Sequence, residues 1–498
     1  MPHITIQFRD HVHSVVSSDD IGIMYEMSEY FTFMVPNAQF TPQYKNRVWD
    51  GKIRLYNKAS GEIYAGILHH VIRFADERKY TVSLQNFPKL TQKIDDEELG
   101  IFLKDLNLHC GGKKIVPYEH QLKAIRSALK NKRRTLLAPT ASGKSLIIYC
   151  LMRYLLEKRP KTKKLLLVPD VGLIFQMRSD FKDYSSENGW EVDDYVHSIY
   201  EGQDKDSDCP IFFSTWQSLY KMPKEYFEQF GEIIVDEAHK AKAVCIKSIG
   251  EKCINCDYRI GLTGTLDGTE CNRFLIEGIL GPVETIVKTR TLMDRNLIAG
   301  LNIECLVLKY TGEECKRAKT MNYQEEIQFL VSHEKRNNFI GDLALSCKGN
   351  TIILVQYVKN HAVKLYEQIK KKAEGTGRNV YYYTGEVDVE EREEIRKIVD
   401  NETGSIIVAN YQVMSHGINI KRIFNIIFAH PSKGNIRVIQ SIGRSLRLAH
   451  DKDNATLYDI SDDLRYGQKE NASYRHLLDR LRIYDGEQHT YMQRYLTL

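Results

Sequence analysis

The sequence predicts an α/β protein with two parallel-sheet domains in tandem, a small α/β domain in front of them and a short helical tail behind. Three observations carry this. Short apolar runs bounded by turns alternate with helix-period segments from Pro117 to about Lys288. The same alternation starts again beyond residue 289 and continues to about Asp463. The first 105 residues follow a different order, β-β-α-β-β-α-β. The expected divisions are therefore 1–105, 106–288, 289–463 and 464–498.

In the first division, ITIQF (4–8) and HVHSVV (11–16) read as strands. Asp20 is placed to cap a helix running to about Phe33, because IGIMYEMSEYF carries apolar residues at helical spacing. KIRLY (52–56) alternates like a strand and leads into a hairpin near Ser60 and Gly61. A helix over about 67–78 and a strand, YTVSL (80–84), complete it. The acidic KIDDEELG and then HCGGKK mark the crossing into the next division.

RTLLAP (134–139), KLLLVP (164–169), IFFST (211–215), EIIVDE (232–237) and RIGLTGT (259–265) are the strands of the second division. Near-continuous apolar runs suit a parallel sheet covered on both faces. Residues 281–300 read as a connection. The strands of the third division are TIILVQ (351–356), NVYYYTG (379–385), SIIVAN (405–410), NIIFAH (425–430) and ATLYDI (455–460). Beyond Asp463 the chain turns polar and helical, with Tyr and Arg interleaved through YRHLLDRLRIYDG and MQRYL.

The 498 residues accommodate such a plan, at about 100 to 200 residues per domain. A net charge of +5 permits a polyanionic partner without requiring one. Ten cysteines are scattered, and the one CxxC, Cys253 to Cys256, has no second pair at zinc-ribbon spacing. It reads as two buried thiols before a core strand, and ten free thiols suit a reducing compartment. The N-terminus lacks the charge and apolar pattern of a signal peptide, and no apolar run approaches membrane-spanning length. A soluble, intracellular protein with no membrane partner is expected.

APTASGKS (138–145) follows an apolar strand and opens a helix. That context suits a loop whose backbone amides cradle phosphates. Pro139, Thr140, Ala141, Ser142 and Gly143 form the cradle. Lys144 reaches the β- and γ-phosphates, and Ser145 ligates Mg²⁺. IIVDEAH (233–239) delivers Asp236 and Glu237 to the C-terminal end of a strand, where ligands bind in open α/β sheets. Asp236 would hold the metal, and Glu237 would orient and deprotonate the attacking water. ATP and Mg²⁺ are the cofactors this chemistry requires.

With Asp236-Glu237-Ala238-His239 the sequence resembles the superfamily 2 DExH-type helicases, and further motifs follow in that family's order. The resemblance covers about 117–465 and implies RecA-like folds for the two parallel-sheet domains. It assigns adenine recognition to Gln121 in Tyr118-Glu119-His120-Gln121. It assigns motif Ia to 165–176, and coupling of hydrolysis to domain motion to Thr263-Gly264-Thr265. SHGINI (415–420) resembles motif V, with Gly417 near nucleotide. QSIGRSLR (440–447) resembles motif VI. This makes Arg444 and Arg447 arginine fingers entering from the second parallel-sheet domain, with Gln440 on the γ-phosphate or water. The resemblance also places nucleic-acid contacts at Pro169, Gln176, Thr215, Gln217, Gln356, Thr384, Gly385 and Ser415. Ala138 and Ala141 depart from the family's phosphate loop, which has glycine there, and would slow ATP binding.

FTPQYKNRVWDGKIRLYN (40–57) is dense in basic and aromatic residues. Lys45, Arg47, Lys52 and Arg54 would hold phosphates while Trp49 stacks on a base. The alternative, equally open, is that Trp49 fills the small domain's core. The basic runs at 132–134, 161–164 and 370–372 read as solvated charge at helix ends. A small α/β domain with a Trp-Asp-Gly turn ahead of a short two-domain motor resembles the recombination helicases of T-even phages. That resemblance implies branched DNA, including forks, Holliday junctions and R-loops with their RNA–DNA hybrid, as substrate. It also implies strand annealing, recombination or single-strand-binding proteins as partners, and the host-cell cytoplasm. An RNA helicase, a restriction-system motor subunit and a non-enzymatic scaffold are the rival readings.

Overall fold

The computed structural model describes residues 3–139, 141–239, 243–266, 269–297, 299–411, 413, 420, 422–430 and 454–498. The chain divides into two compact units, Met1–Val287 and Lys288–Leu498.

The first unit opens with a four-stranded sheet in the order Glu62–Tyr64, His13–Ser17, His3–Phe8, Thr81–Gln85. The first three strands are antiparallel, and the last runs parallel to His3–Phe8. Alternation buries Ile4 and Ile6 on one face. The helix Ile21–Tyr30 starts at Asp20, whose side chain accepts from Gly22 N, and ends before the expected Phe33. It stops because Thr32–Met34 leaves as a strand pairing with Lys52–Arg54, so KIRLY forms its own two-stranded sheet. Helix Leu68–Arg78 buries Val71 and Phe74. The apolar core is continuous from Ile4, Phe31 and Phe74 through to Leu165, Ile233 and Ile279.

The second sheet of this unit has seven parallel strands, in the order Val196–Ile199, Ile211–Thr215, Lys163–Val168, Phe230–Val235, Tyr258–Thr263, Arg133–Leu137, Val283–Thr285. The five expected strands form its interior. The two extra strands are its edges.

The second unit repeats the architecture: Val380–Tyr383, Ile406–Asn410, Thr351–Val355, Asn425–Phe428, Asn454–Asp463, Gly300–Lys309, Tyr491–Thr497, all parallel. Gly300–Lys309 begins where only a connection was expected. The polar C-terminal segment does form a helix, Ala472–Gly486, but MQRYL lies in a strand, Tyr491–Thr497. That strand pairs on one side only and exposes Met492 and Tyr495, so it lacks the apolar run of an interior strand. Two buried ion pairs tie helices to Asn454–Asp463. Arg336 Nε reaches Asp462 at 2.7 Å, and Arg480 Nη2 reaches Asp459 at 2.8 Å. Breaking such a pair would strand a buried charge, at a cost of about 3–5 kcal/mol.

Candidate active site

The phosphate loop leaves the C-terminal end of strand Arg133–Leu137. Ala138 N still donates to Thr263 O at 2.9 Å, so the ladder continues one residue before the chain turns. Ala141 and Gly143 both take positive φ, 68° and 79°. At Ala141 the left-handed backbone costs about 1–2 kcal/mol that glycine would not incur. At Gly143 a Cβ would lie 2.1 Å from Gln121 Nε2. Helix Lys144–Lys158 follows directly, so its first amides border the loop.

Gln121 is buried beside this loop. Its Nε2 donates to Ser142 O at 3.0 Å, and its Oε1 accepts from Tyr118 N at 2.8 Å. His120 Nε2 lies 2.9 Å from the same Ser142 carbonyl. Both side chains therefore set the shape of the loop.

Asp236 and Glu237 stand at the end of strand Phe230–Val235. Asp236 N donates to Leu167 O at 2.9 Å, and the aspartate is 6 % exposed. Glu237 has a φ of 48° and donates its N–H to Asp236 Oδ1 at 2.9 Å. That bend turns Glu237 toward the loop, where its Oε1 lies 3.4 Å from Lys144 Nζ. His239 Nδ1 is 3.4 Å from Glu237 Oε2 and 2.5 Å from Thr263 Oγ1. Thr263 Oγ1 donates in turn to Thr265 O at 2.8 Å. A line of polar contacts thus runs Lys144, Glu237, His239, Thr263, Thr265. Ser145 Oγ is 2.9 Å from the Tyr184 hydroxyl, a partner 39 residues away that sequence reading missed. Burial pushes the Tyr184 phenol pKa up, so the hydroxyl stays protonated.

Farther along the strand ends, Gln217 Nε2 donates to Pro169 O at 3.2 Å, joining two loops. Thr215 is buried and caps the short helix Trp216–Leu219 through Ser218 N. Gln176 is exposed and Gln356 half-buried. Thr384 is fully buried, with its hydroxyl accepting from Glu386 N, while Gly385 is exposed. Thr140, Ser415, Gly417, Gln440, Arg444 and Arg447 lie outside the described residues.

In the N-terminal sheet domain, Lys45, Arg47, Lys52 and Arg54 are exposed. Trp49 is half-buried and donates its indole N–H to Lys52 O at 2.9 Å. It does not belong to the apolar core. Arg54 is held by Asp50. Gly51 has a φ of 77°, and a Cβ there would lie 3.0 Å from Met34, Ala38 and Tyr44.

Two of the basic runs are not simply solvated. Lys132 pairs with Asp257 at 3.2 Å, Arg134 with Glu284 at 3.5 Å, and Lys164 is fully buried beside Glu232. These two runs differ from the expectation because each continues into a strand of the sheet, whereas Lys370 and Lys371 are exposed in the last turn of helix Val363–Ala373, as expected. Cys253 and Cys256 are buried, as expected, before strand Tyr258–Thr263.

Two RecA-like sheets, one carrying a phosphate loop and an Asp-Glu-Ala-His strand end, define an ATP-hydrolysing helicase of superfamily 2. The chain is 32 % identical over 516 residues to the ATP-dependent DNA helicase uvsW of Enterobacteria phage T4, covering 99 % of this chain and 100 % of that one. A crystal structure of T4 UvsW matches with a TM-score of 0.53 at 30 % identity over 99 % of both chains. The chain belongs to the UvsW helicase family. Residues 3–85 match the family described as DNA helicase UvsW, N-terminal. Residues 114–268 match Type III restriction enzyme, res subunit, and 334–449 match Helicase conserved C-terminal domain. The DNA 3'-5' translocase XPB2 of Sulfurisphaera tokodaii is 24 % identical over 58 % of this chain and 56 % of its own. Among the described residues, no helix is long and apolar enough to cross a membrane.

Proposed function

We propose that this helicase couples ATP hydrolysis to movement along DNA and acts by preference on branched DNA in phage recombination, repair and replication. The line from Lys144 through Glu237 and His239 to Thr263 carries the reading. It joins the phosphate loop, the acidic strand end and the Thr263-Gly264-Thr265 segment by contacts of 2.5 to 3.4 Å. ATP would draw Lys144 onto its β- and γ-phosphates and release Glu237 to orient the attacking water. His239 would sense that release and pass it to Thr263. Gln440, Arg444 and Arg447 complete the set by stabilising charge that develops in the transition state.

Ser145 and Asp236 offer a hydroxyl and a carboxylate, an all-oxygen pair suited to Mg²⁺. Bound there, the ion would neutralise charge on the phosphates. Gln121 positions the loop through Ser142 as well as facing the base. Pro169, Gln176, Thr215, Gln217, Gln356, Gly385 and Ser415 would line the strand track. There Thr384 acts by fixing the turn that presents Gly385. Lys45, Arg47, Trp49 and Lys52 would form a second grip, well placed to hold an arm of a junction. The proposed working divisions are 1–105 for this grip, 106–288 for ATP, 289–463 for the second motor domain and 464–498 for its closing helix and strand. The host-cell cytoplasm is the proposed place of action.

The test is ATPase stimulation by single-stranded DNA, duplex, fork, four-way junction, R-loop and RNA across a salt series. Forks, junctions and R-loops should give the lowest half-saturating concentrations. Equal or stronger stimulation by RNA would replace this reading with an RNA remodeller. The salt slope counts the phosphates gripped.

A further inference from the structure

Helix Leu68–Arg78 of the N-terminal sheet domain meets helix Glu270–Leu280 of the parallel-sheet domain at a buried junction. The approach is close. A Cβ on Gly66 would sit 2.0 Å from the Glu277 carbonyl oxygen. Neighbours on a helix normally diverge by about 100°. His69 and His70 instead lean together, with ring centroids 4.0 Å apart. Both turn Nε2 toward one oxygen of Glu277. His70 Nε2 is 2.7 Å from Glu277 Oε2, and His69 Nε2 is 3.2 Å from it. Glu277 Oε1 accepts from Arg273 Nε at 2.8 Å, and Phe274 stacks on His70 at 4.2 Å.

Among the described residues, this is the sole group of three His, Cys, Asp or Glu whose ligand atoms all fall within 4.8 Å of one another. We propose that His69, His70 and Glu277 form a Zn²⁺ site that staples the N-terminal sheet domain to the ATP-binding domain.

Two imidazole nitrogens and one carboxylate oxygen are a donor set that zinc accepts. With bonds of about 2.0–2.1 Å, tetrahedral ligand atoms stand about 3.3 Å apart. The two His–Glu277 separations, 3.2 and 2.7 Å, stand close to this, and all three ligand atoms fall within 4.8 Å of one another. Burial alone would raise the Glu277 carboxyl, but the two histidines and Arg273 outweigh it and hold the group well below the usual carboxylate range. Arg273 and Phe274 fix the carboxylate and one ring from outside, as supporting partners of metal ligands do. His69 lines a cavity of about 400 Å³ that also touches Phe8, Leu90 and Lys132. That cavity would give a metal ion an entry path from the His69 side, with room for a water as fourth ligand.

The test uses the full chain, stripped with chelator and titrated with ZnCl₂ by calorimetry in millimolar Mg²⁺. About one zinc per chain should bind, and His69→Gln should weaken it on the order of tenfold or more. The melting temperature of the metal-free variant should match that of the metal-free parent. CoCl₂ added to the parent chain should give visible absorption of a four-coordinate nitrogen–oxygen site, lost in His69→Gln. No zinc uptake, or uptake unchanged by His69→Gln, overturns the site and leaves a hydrogen-bonded clamp. Should the variant fail to fold, the cobalt spectrum of the parent decides: no four-coordinate bands, no site.

Discussion

Lys144 Nζ lies 3.4 Å from Glu237 Oε1. The cation proposed for phosphate and the carboxylate proposed for water thus form an ion pair. Neither group is more than about one-sixth exposed, so the pair is weakly screened. In the proposed mechanism, ATP would exchange one anion for another at Lys144 and free the carboxylate in the same step.

Lys144→Ala should therefore abolish turnover, with kcat falling on the order of 10³-fold or more, as loss of a transition-state charge contact does. DNA affinity should stay within about twofold, because the lysine is far in sequence from every proposed strand contact. Steady-state ATPase and fluorescence anisotropy measure the two quantities. Unchanged turnover would refute the assigned chemistry.

The contact between His239 Nδ1 and Thr263 Oγ1 links the acidic strand end to the Thr-Gly-Thr segment. Thr263→Ala removes the acceptor without touching nucleotide. ATPase should survive within a few-fold while fork unwinding drops about tenfold or more. A parallel loss of both would make Thr263 a structural residue only.

Gln121→Ala removes the hydrogen bonds to Ser142 O and Tyr118 N. A net value of about 0.5–1.5 kcal/mol per bond predicts a KM for ATP raised by about 2- to 10-fold per bond lost. kcat should change little. Gly143→Ala should be worse, since the φ of 79° disfavours any side chain there even after Gln121 is trimmed. The double variant should not recover.

These sites divide by how far along the chain their parts lie. The phosphate loop and the Asp-Glu-Ala-His strand end were legible because each is a contiguous string whose chemistry sits on neighbouring residues. The Ser145–Tyr184 contact was not, because it joins a helix start to the end of another helix through folding alone. Interior strands such as Phe230–Val235 were legible as six consecutive buried residues. Edge strands such as Val196–Ile199 and Tyr491–Thr497 are partly buried or largely exposed, so their sequences lack the apolar run of an interior strand. The basic residues at 132–134 illustrate the opposite error. Charge in sequence suggested solvent, but the partners Asp257 and Glu284 lie more than 100 positions away.

Buried histidines set a pH limit. Burial lowers His430 to about 3 and His11 to about 4. The unfolded chain takes up protons near 6.5, whereas the folded chain does not until those lower values. Their contribution is therefore fully present above about 6.5 and is lost as pH falls toward 4. Each such group changes stability by up to about 1.4 kcal/mol per pH unit in that window. Melting temperature should drop steadily from pH 7 to pH 5. His430→Gln should shallow that slope. An unchanged slope would mean that His430 already titrates normally in the folded chain.

Trp49 separates the two readings of the N-terminal turn. The residue is half-buried and stands outside the core, with the indole N–H committed to Lys52 O. That bond fixes the plane of the ring, and the residue keeps part of its surface exposed, as stacking on a base requires. Trp49→Ala should weaken single-strand and fork binding by about 1–3 kcal/mol, the usual worth of one stacked base. Trp49→Phe should restore most of it, because the face matters more than the N–H. Lys45→Ala and Arg47→Ala should each weaken binding and reduce the salt slope by about one. Arg54→Ala should do less, since Asp50 already neutralises that guanidinium. The measurement is anisotropy on a labelled fork at several salt concentrations, with DNA-independent ATPase as the control for folding. If Trp49→Ala melts the protein early and leaves fork affinity intact, the turn is a packing element and the grip lies elsewhere.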